Sequence, residues 1–226
     1  MGSEMCIRDR SWADSWKEIF FADPTIFVEN GKYYLTGTRN REPQGFAILE
    51  STDLKHWTVP NGKDLQLILR KGDQAFGEKG FWAPQYFKDK RTYYFTYTAN
   101  EQTVIASSKS VFGPFRQKEV KPIDASAKNI DSFLFKDDDG KYYLYHVRFN
   151  KGNYLWVAEF DIKKGSIKPE TLKQCMDCTE PWEKTPNYKS APVMEGPTVM
   201  KWDGVYYLFY SCLLYTSPSP RDLSTS

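Results

Sequence analysis

The chain has 226 residues, 40% hydrophobic and 27% charged, with 31 basic and 29 acidic side chains and a net charge of +2. That length allows one large domain or two small ones. The charges are interspersed and no apolar run approaches the roughly 18–20 residues of a membrane span, so neither a nucleic-acid nor a membrane partner is expected. The first segment, residues 1–10 (MGSEMCIRDR), has no strand or helix period. It reads as non-native, resembling translated adapter sequence, and residues 11–211 read as one domain. The last segment, residues 212–226, is rich in Ser and Pro and breaks off a strand pattern, so it is set aside with the first. The native N-terminus is then unknown.

Between the ends, one unit recurs four times: Asp23–Leu35 (DPTIFVENGKYYL), Ala83–Phe95 (APQYFKDKRTYYF), Asp131–Leu144 (DSFLFKDDDGKYYL) and Gly196–Leu208 (GPTVMKWDGVYYL). Each copy is a short strand, a polar turn and a Tyr-Tyr strand. Asn30-Gly31, Asp139-Gly140 and Asp203-Gly204 are hairpin turns by composition, because both residue types tolerate positive φ. Asp89-Lys90-Arg91 fills that place in the second copy with weaker turn chemistry. Further strand-like segments follow, with closing aromatics: Gly45–Val59 with Trp57, Thr103–Gln117 with Phe115, and the looser Tyr154–Ile167. No stretch keeps a helical apolar period beyond about ten residues.

Each unit therefore reads as a four-stranded antiparallel sheet, and sheets recurring every 49 to 64 residues predict a β-propeller. A β-sandwich is the alternative, but it leaves the repeated register unexplained. Three full blades and half of a fourth are expected, a fragment that would fold poorly and show little activity because an open ring exposes strand edges.

Innermost strands of a propeller line its axis. The lead residues of the copies are Asp23, Ala83, Asp131 and Gly196, with Glu195 one place before the last. Asp23, Asp131 and Glu195 should thus rim one pocket. All three have apolar flanks, and grouped carboxylates in apolar surroundings are costly without a purpose. Trp82 precedes its lead residue as Glu195 does, and is expected to face the same pocket. Phe21 is a second aromatic candidate. Arg148 and His146 follow the third Tyr-Tyr strand in an apolar stretch, as candidates for a sugar contact or an internal ion pair. The 16% aromatic content suits both sheet packing and sugar stacking.

The chain resembles glycoside hydrolase family 43, from about Phe20 to Ser211. The motifs are Ala22-Asp23-Pro24-Thr25-Ile26, Trp82-Ala83-Pro84-Gln85, Ile130-Asp131-Ser132-Phe133 and Glu195-Gly196-Pro197-Thr198. The resemblance implies an all-β fold, a five-bladed β-propeller of which about three and a half blades are present. It implies an enzyme cleaving arabinose- or xylose-containing polysaccharides with inversion, exo-acting as an α-L-arabinofuranosidase or β-xylosidase. The alternatives are an endo-arabinanase or galactofuranosidase of the same family, a non-catalytic carbohydrate-binding propeller, or a fructan-cleaving propeller hydrolase. The last shows Asn-Asp-Pro-Asn-Gly where this chain has Ala-Asp-Pro-Thr-Ile. Carried over by position, Asp23 is the general base, Glu195 the general acid and Asp131 the residue that tunes and orients.

The chemistry agrees: one carboxyl protonates the leaving oxygen while another activates water on the opposite face, roughly 6.5–9.5 Å away. A neighbouring anion helps the acid keep its proton. The carbohydrate is the expected partner, and no cofactor is required for this chemistry. The family's axial histidine would come from blade five, so a structural calcium in the intact protein is left open, and no metal ligands are assigned. Cys175 and Cys178 form a loop disulfide or two free thiols; a zinc site would need a second pair or nearby histidines. A secreted or periplasmic location is favoured over a cytoplasmic one.

Overall fold

A computed structural model of the chain describes residues 19, 21–62, 65–183 and 192–212. Among them every element is a strand or a single 3-10 turn, and no helix is long and apolar enough to cross a membrane. The chain packs as two compact units that divide between Ile123 and Asp124.

The first unit holds two blades. In the first, β1 (Ala22–Glu29) pairs with β2 (Lys32–Thr38), followed by β3 (Gly45–Ala47), β4 (Leu49–Ser51) and β5 (Leu67–Arg70). The third strand is divided: β4 stays on β2, whereas β3 turns away to pair with β5. The second blade is β6 (Trp82–Asp89), β7 (Thr92–Ala99) and β8 (Gln102–Ser108) in simple antiparallel order. The expected fourth strand is reduced in both blades to one bridge, Glu50 with Thr58 and Ser107 with Arg116. Pro60 and Pro114 lie two residues away and lack the N–H that a longer ladder requires.

The second unit holds the third blade and two strands of a fourth. Strands β9 (Asn129–Lys136), β10 (Tyr142–Phe149) and β11 (Asn153–Asp161) are joined by β12 (Ser166–Ile167) and β13 (Lys173–Gln174), which both pair with β11. The closing strand is thus broken in two by a 3-10 turn starting at Pro169. Strands β14 (Met194–Trp202) and β15 (Val205–Cys212) form the last hairpin.

The turns follow their residues. Asn30-Gly31 and Asp203-Gly204 have φ of 50° and 74°, and of 48° and 76°, giving the two-residue loops whose twist matches the strands. Asn100-Glu101, which composition did not flag, makes the same turn at 51° and 57°. Lys90 is forced to 54° where no Asn or Gly is available.

The Tyr-Tyr repeat also gains a physical role. In the second copy, Lys88 and the Tyr93 hydroxyl both bind Glu29, at the end of the preceding blade's first strand, and the Lys88 ammonium lies over the Tyr93 ring. In the fourth copy, Lys201 and the Tyr206 hydroxyl both bind Asp137, at 3.0 and 2.6 Å, with Lys201 over the Tyr206 ring. In the third, Lys136 lies over Tyr142. In the second and fourth copies the first Tyr therefore clamps a blade to the one before it, an acid–lysine–phenol contact combining an ion pair with a cation–π contact.

The core of the first unit is aromatic. Phe46, Phe95, Tyr97 and Phe115 are fully buried, and Phe46 meets Phe95, Tyr97 and Phe81 at centroid distances of 5.1, 5.4 and 6.2 Å. The second unit buries Val147, Leu155 and Met194, where β14 lies against β9. The opposite face of the last hairpin carries Met200, Trp202, Val205, Tyr207 and Phe209. All are exposed, Trp202 by 69%.

Candidate active site

All four lead residues share a backbone feature that their side chains do not predict. Asp23, Ala83, Asp131 and Gly196 have φ of 47°, 45°, 49° and 62°. At each, the pairing register slips: between Ala22 and Thr25, Trp82 and Gln85, Ile130 and Phe133, and Glu195 and Thr198. The lead position is thus a β-bulge with its extra residue left-handed, a device that re-aims a side chain and bends the strand. Asp tolerates this region, Gly adopts it freely, and Ala pays for its Cβ. Ala83→Gly is accordingly expected to stabilise the protein by about 0.5–1 kcal/mol, read as a higher urea midpoint, against the usual sign for Gly in a strand. A lower midpoint would show that the bulge carries no strain.

In the first unit, the Asp23 carboxylate accepts a 2.6 Å hydrogen bond from the Thr38 hydroxyl, and the Thr38 oxygen accepts the backbone N–H of Ala83 at 2.9 Å. This chain ties the acid of blade one to the lead residue of blade two and fixes its orientation. Thr38 itself is buried. Trp82, the first residue of β6, is 40% exposed. Phe21 is half-buried, lies against Gly37, and packs on the cluster of Leu35, Leu49 and Trp57.

In the second unit, Asp131 meets the backbone next to Glu195. The N–H of Gly196, directly after Glu195, donates to Asp131 Oδ2 at 3.3 Å. Asn153, at the start of β11, donates its side-chain amide to Glu195 Oε1 at 2.6 Å, and Ser211 donates to the Glu195 carbonyl at 3.3 Å. With Oε1 engaged as an acceptor, the proton of a protonated Glu195 is directed to Oε2. In the complete protein, Asn153→Ala is expected to lower kcat by about 10- to 100-fold with KM little changed, the scale of one hydrogen bond to a charged group. An unchanged kcat would remove this role.

Arg148 is placed as an ion-pair partner. Its Nη1 donates to Asp124 Oδ2 at 2.6 Å and its Nη2 to Ser126 Oγ at 3.2 Å, and its guanidinium lies 5.8 Å from the Trp156 ring centroid. Burial pushes the Asp124 carboxyl up, but hydrogen bonds from Ser126 and Arg148 outweigh it and hold it low. His146 is 1% exposed, with Nδ1 3.4 Å from the Leu144 carbonyl. Burial, reinforced by the Arg148 charge, lowers its pKa to about 4, so the ring is neutral at pH 7. Cys175 and Cys178 are free thiols, and burial pushes Cys175 up to about 11, far from thiolate reactivity. Among the described residues no three His, Cys, Asp or Glu side chains are grouped to hold a metal.

Thr38 and Asn153, which hold the two terminal acids of the set, lie outside the repeated motif. The register gave no signal for them. Only their neighbours across the strands do: Thr38 pairs with Ala22, and Asn153 bridges Val193.

Blades of this pattern, with Asp23 and Asp131 on the bulges of their first strands and Glu195 just before a third, are those of a β-propeller of the glycan-hydrolase type. The model of Glycosyl hydrolases family 43 matches residues 17–220, and the chain belongs to that family. It is 28% identical over 204 residues to a xylosidase/arabinosidase of Butyrivibrio fibrisolvens, covering 85% of this chain and 37% of that protein. It is 28% identical over 201 residues to an extracellular endo-α-(1→5)-L-arabinanase of Bacillus subtilis, covering 84% of this chain and 58% of that one. Among solved structures, an endo-1,4-β-xylanase of Bacteroides thetaiotaomicron is 40% identical with a TM-score of 0.73, covering 87% of this chain and 65% of that one. The fold is thus the five-bladed propeller, with about three and a half blades present in the chain. The chain spans between 37% and 58% of the length of the two curated relatives.

Proposed function

We propose that the complete protein hydrolyses glycosidic bonds in arabinose- or xylose-containing polysaccharides by a single inverting displacement, acting from chain ends to release arabinofuranose or xylose. The observation that carries this reading is the shared bulge register of Asp23 and Asp131, with Glu195 one residue before its own bulge and bonded through Gly196 to Asp131. In this reading Asp23, oriented by Thr38, removes a proton from water as it attacks the anomeric carbon. Glu195, oriented by Asn153, gives its proton to the departing oxygen. Asp131 holds the Gly196 peptide beside Glu195.

Trp82 offers an exposed indole face for a sugar ring, with Phe21 as a second contact two residues before Asp23. Arg148 and His146 act behind the sugar, as buried support for the third blade. The chemistry asks for no cofactor. The names of the relatives support pentose-containing substrates, and one relative, a β-D-galactofuranosidase of Aspergillus niger at 26% identity, keeps galactofuranosides on the panel. Such polymers lie outside cells, which favours a secreted or periplasmic protein.

The test is hydrolysis of aryl α-L-arabinofuranoside, β-D-xyloside and β-D-galactofuranoside, beside linear arabinan, by the full-length protein. Turnover of an arabinofuranoside or xyloside supports the exo reading. Cleavage of arabinan alone shifts it to the endo enzyme. Binding without any turnover identifies a carbohydrate-binding propeller instead.

A further inference from the structure

We propose that Gly152, in the turn between β10 and β11, is a positioning residue for the proton donor. Having no side chain, it lets the turn close on Pro192 and so holds the Asn153 amide on Glu195; this rests on the glycosidase reading above. Strands β10 and β11 pair as far as Phe149 and Asn153, so the turn is Asn150, Lys151 and Gly152. Lys151 and Gly152 have φ of 57° and 151°, and the Asn150 N–H donates to the Gly152 carbonyl at 2.8 Å. The next residue, Asn153, is tied at two levels to the segment that enters β14. Its backbone N–H donates to the Pro192 carbonyl at 2.9 Å, beside a parallel bridge to Val193. Its side-chain amide donates to Glu195 Oε1 at 2.6 Å.

This close approach leaves no room for a side chain at Gly152, which is buried. A Cβ there would stand 2.8 Å from the Pro192 carbonyl oxygen and 2.9 Å from Pro192 Cδ, well inside van der Waals contact. That oxygen is the one that accepts the Asn153 N–H. Pro192 is not free to retreat, because Val193 and Met194 are buried directly after it, Met194 among Val147 and Leu155. The clash is therefore relieved by the turn lifting off Pro192, and Asn153 lifts with it. The amide then leaves Glu195, which stays in place on β14. The φ of Gly152 adds a second reason for glycine, since other residues rarely adopt it. Gly140, in the β9–β10 turn of the same blade, also has a positive φ, 81°, but a Cβ there meets nothing within 4 Å. Alanine at Gly140 thus brings strain without displacement.

The experiment compares kcat on a xylo- or arabino-oligosaccharide with kcat on the nitrophenyl glycoside of the same sugar. The full-length protein carries Gly152→Ala, Asn153→Ala, both together, Gly140→Ala or Glu195→Ala. The ratio of the two rates does not depend on how much of a preparation is folded. Gly152→Ala is expected to lower kcat on the oligosaccharide by about tenfold or more, the scale of a misplaced catalytic contact, and to leave the nitrophenyl rate nearly unchanged. In the Asn153→Ala background it should change the ratio no further, because residues acting through one contact are not additive. Gly140→Ala should keep the wild-type ratio. A Gly152→Ala protein that does not fold is replaced by Gly152→Ala/Pro192→Ala, which removes the Cδ contact, keeps the carbonyl one and carries the same expectation. An unchanged ratio, whether from no loss or from equal losses, overturns the inference. So does a full further loss on top of Asn153→Ala. In either case a ratio shifted by Glu195→Ala leaves the glycosidase reading standing. No shift with Glu195→Ala, or no hydrolysis of either substrate by the wild-type protein, removes that reading and the inference with it.

Discussion

Glu195→Ala in the full-length protein should lower kcat on a xylo- or arabino-oligosaccharide by about 10²–10⁴-fold, the range for loss of a positioned proton donor. On a nitrophenyl glycoside of the same sugar the loss should be far smaller, because a nitrophenolate leaves without a proton. Asp23→Ala should lower kcat by a similar factor on both substrates, because activating water is needed whatever the leaving group. The contrast separates the two roles, where a simple loss of activity would report damage of any kind. Steady-state kinetics on the two substrate types is the measurement. Equal losses for Glu195→Ala on both, or full activity in either variant, would remove the assignments. Asn153→Ala should follow the pattern of Glu195→Ala in weaker form, since it acts through that residue.

Phe46→Ala should cost the first unit about 3–5 kcal/mol, the usual toll of deleting a buried phenyl ring. The ring is fully buried and meets three other rings in edge-to-face contacts, which add to the area it removes from water. It also stands on β3, the short strand that leaves the first blade to pair with β5. Its loss therefore strikes the packing that anchors a segment held by few ladder bonds. Against a total stability of about 5–15 kcal/mol for a domain, that is a large fraction. Urea unfolding followed by tryptophan fluorescence reads the effect. A loss below about 1 kcal/mol would show that the aromatic cluster collapses around the gap.

The blade pattern was legible because its parts are local. Asn30-Gly31 and Asp203-Gly204 declare their turns, alternating apolar residues declare the strands beside them, and the Tyr-Tyr pairs mark the register. The approach of Asp131 to the backbone next to Glu195 was legible for the same reason: equal places in equal units. What was hidden depends on contacts between distant segments. The division of the third strand at Ala47–Leu49 is decided by β5, about twenty residues on. Asp124, the partner of Arg148, sits in a loop 24 residues earlier, with nothing in its surroundings to mark it. Thr38 and Asn153 look like ordinary strand-end residues until the carboxylates beside them are placed. The left-handed bulge was half visible, in Gly196, but Asp23, Ala83 and Asp131 disguise it, since none of the three requires positive φ.

The direct test of the account is proton NMR of the sugar released in the first moments of hydrolysis by the full-length protein, before mutarotation. Water delivered by Asp23 from the face opposite the group protonated by Glu195 predicts the anomer of inverted configuration as the first product. First release of the retained anomer would mean that a carboxylate attacks the sugar itself, and would contradict the division of labour between Asp23 and Glu195.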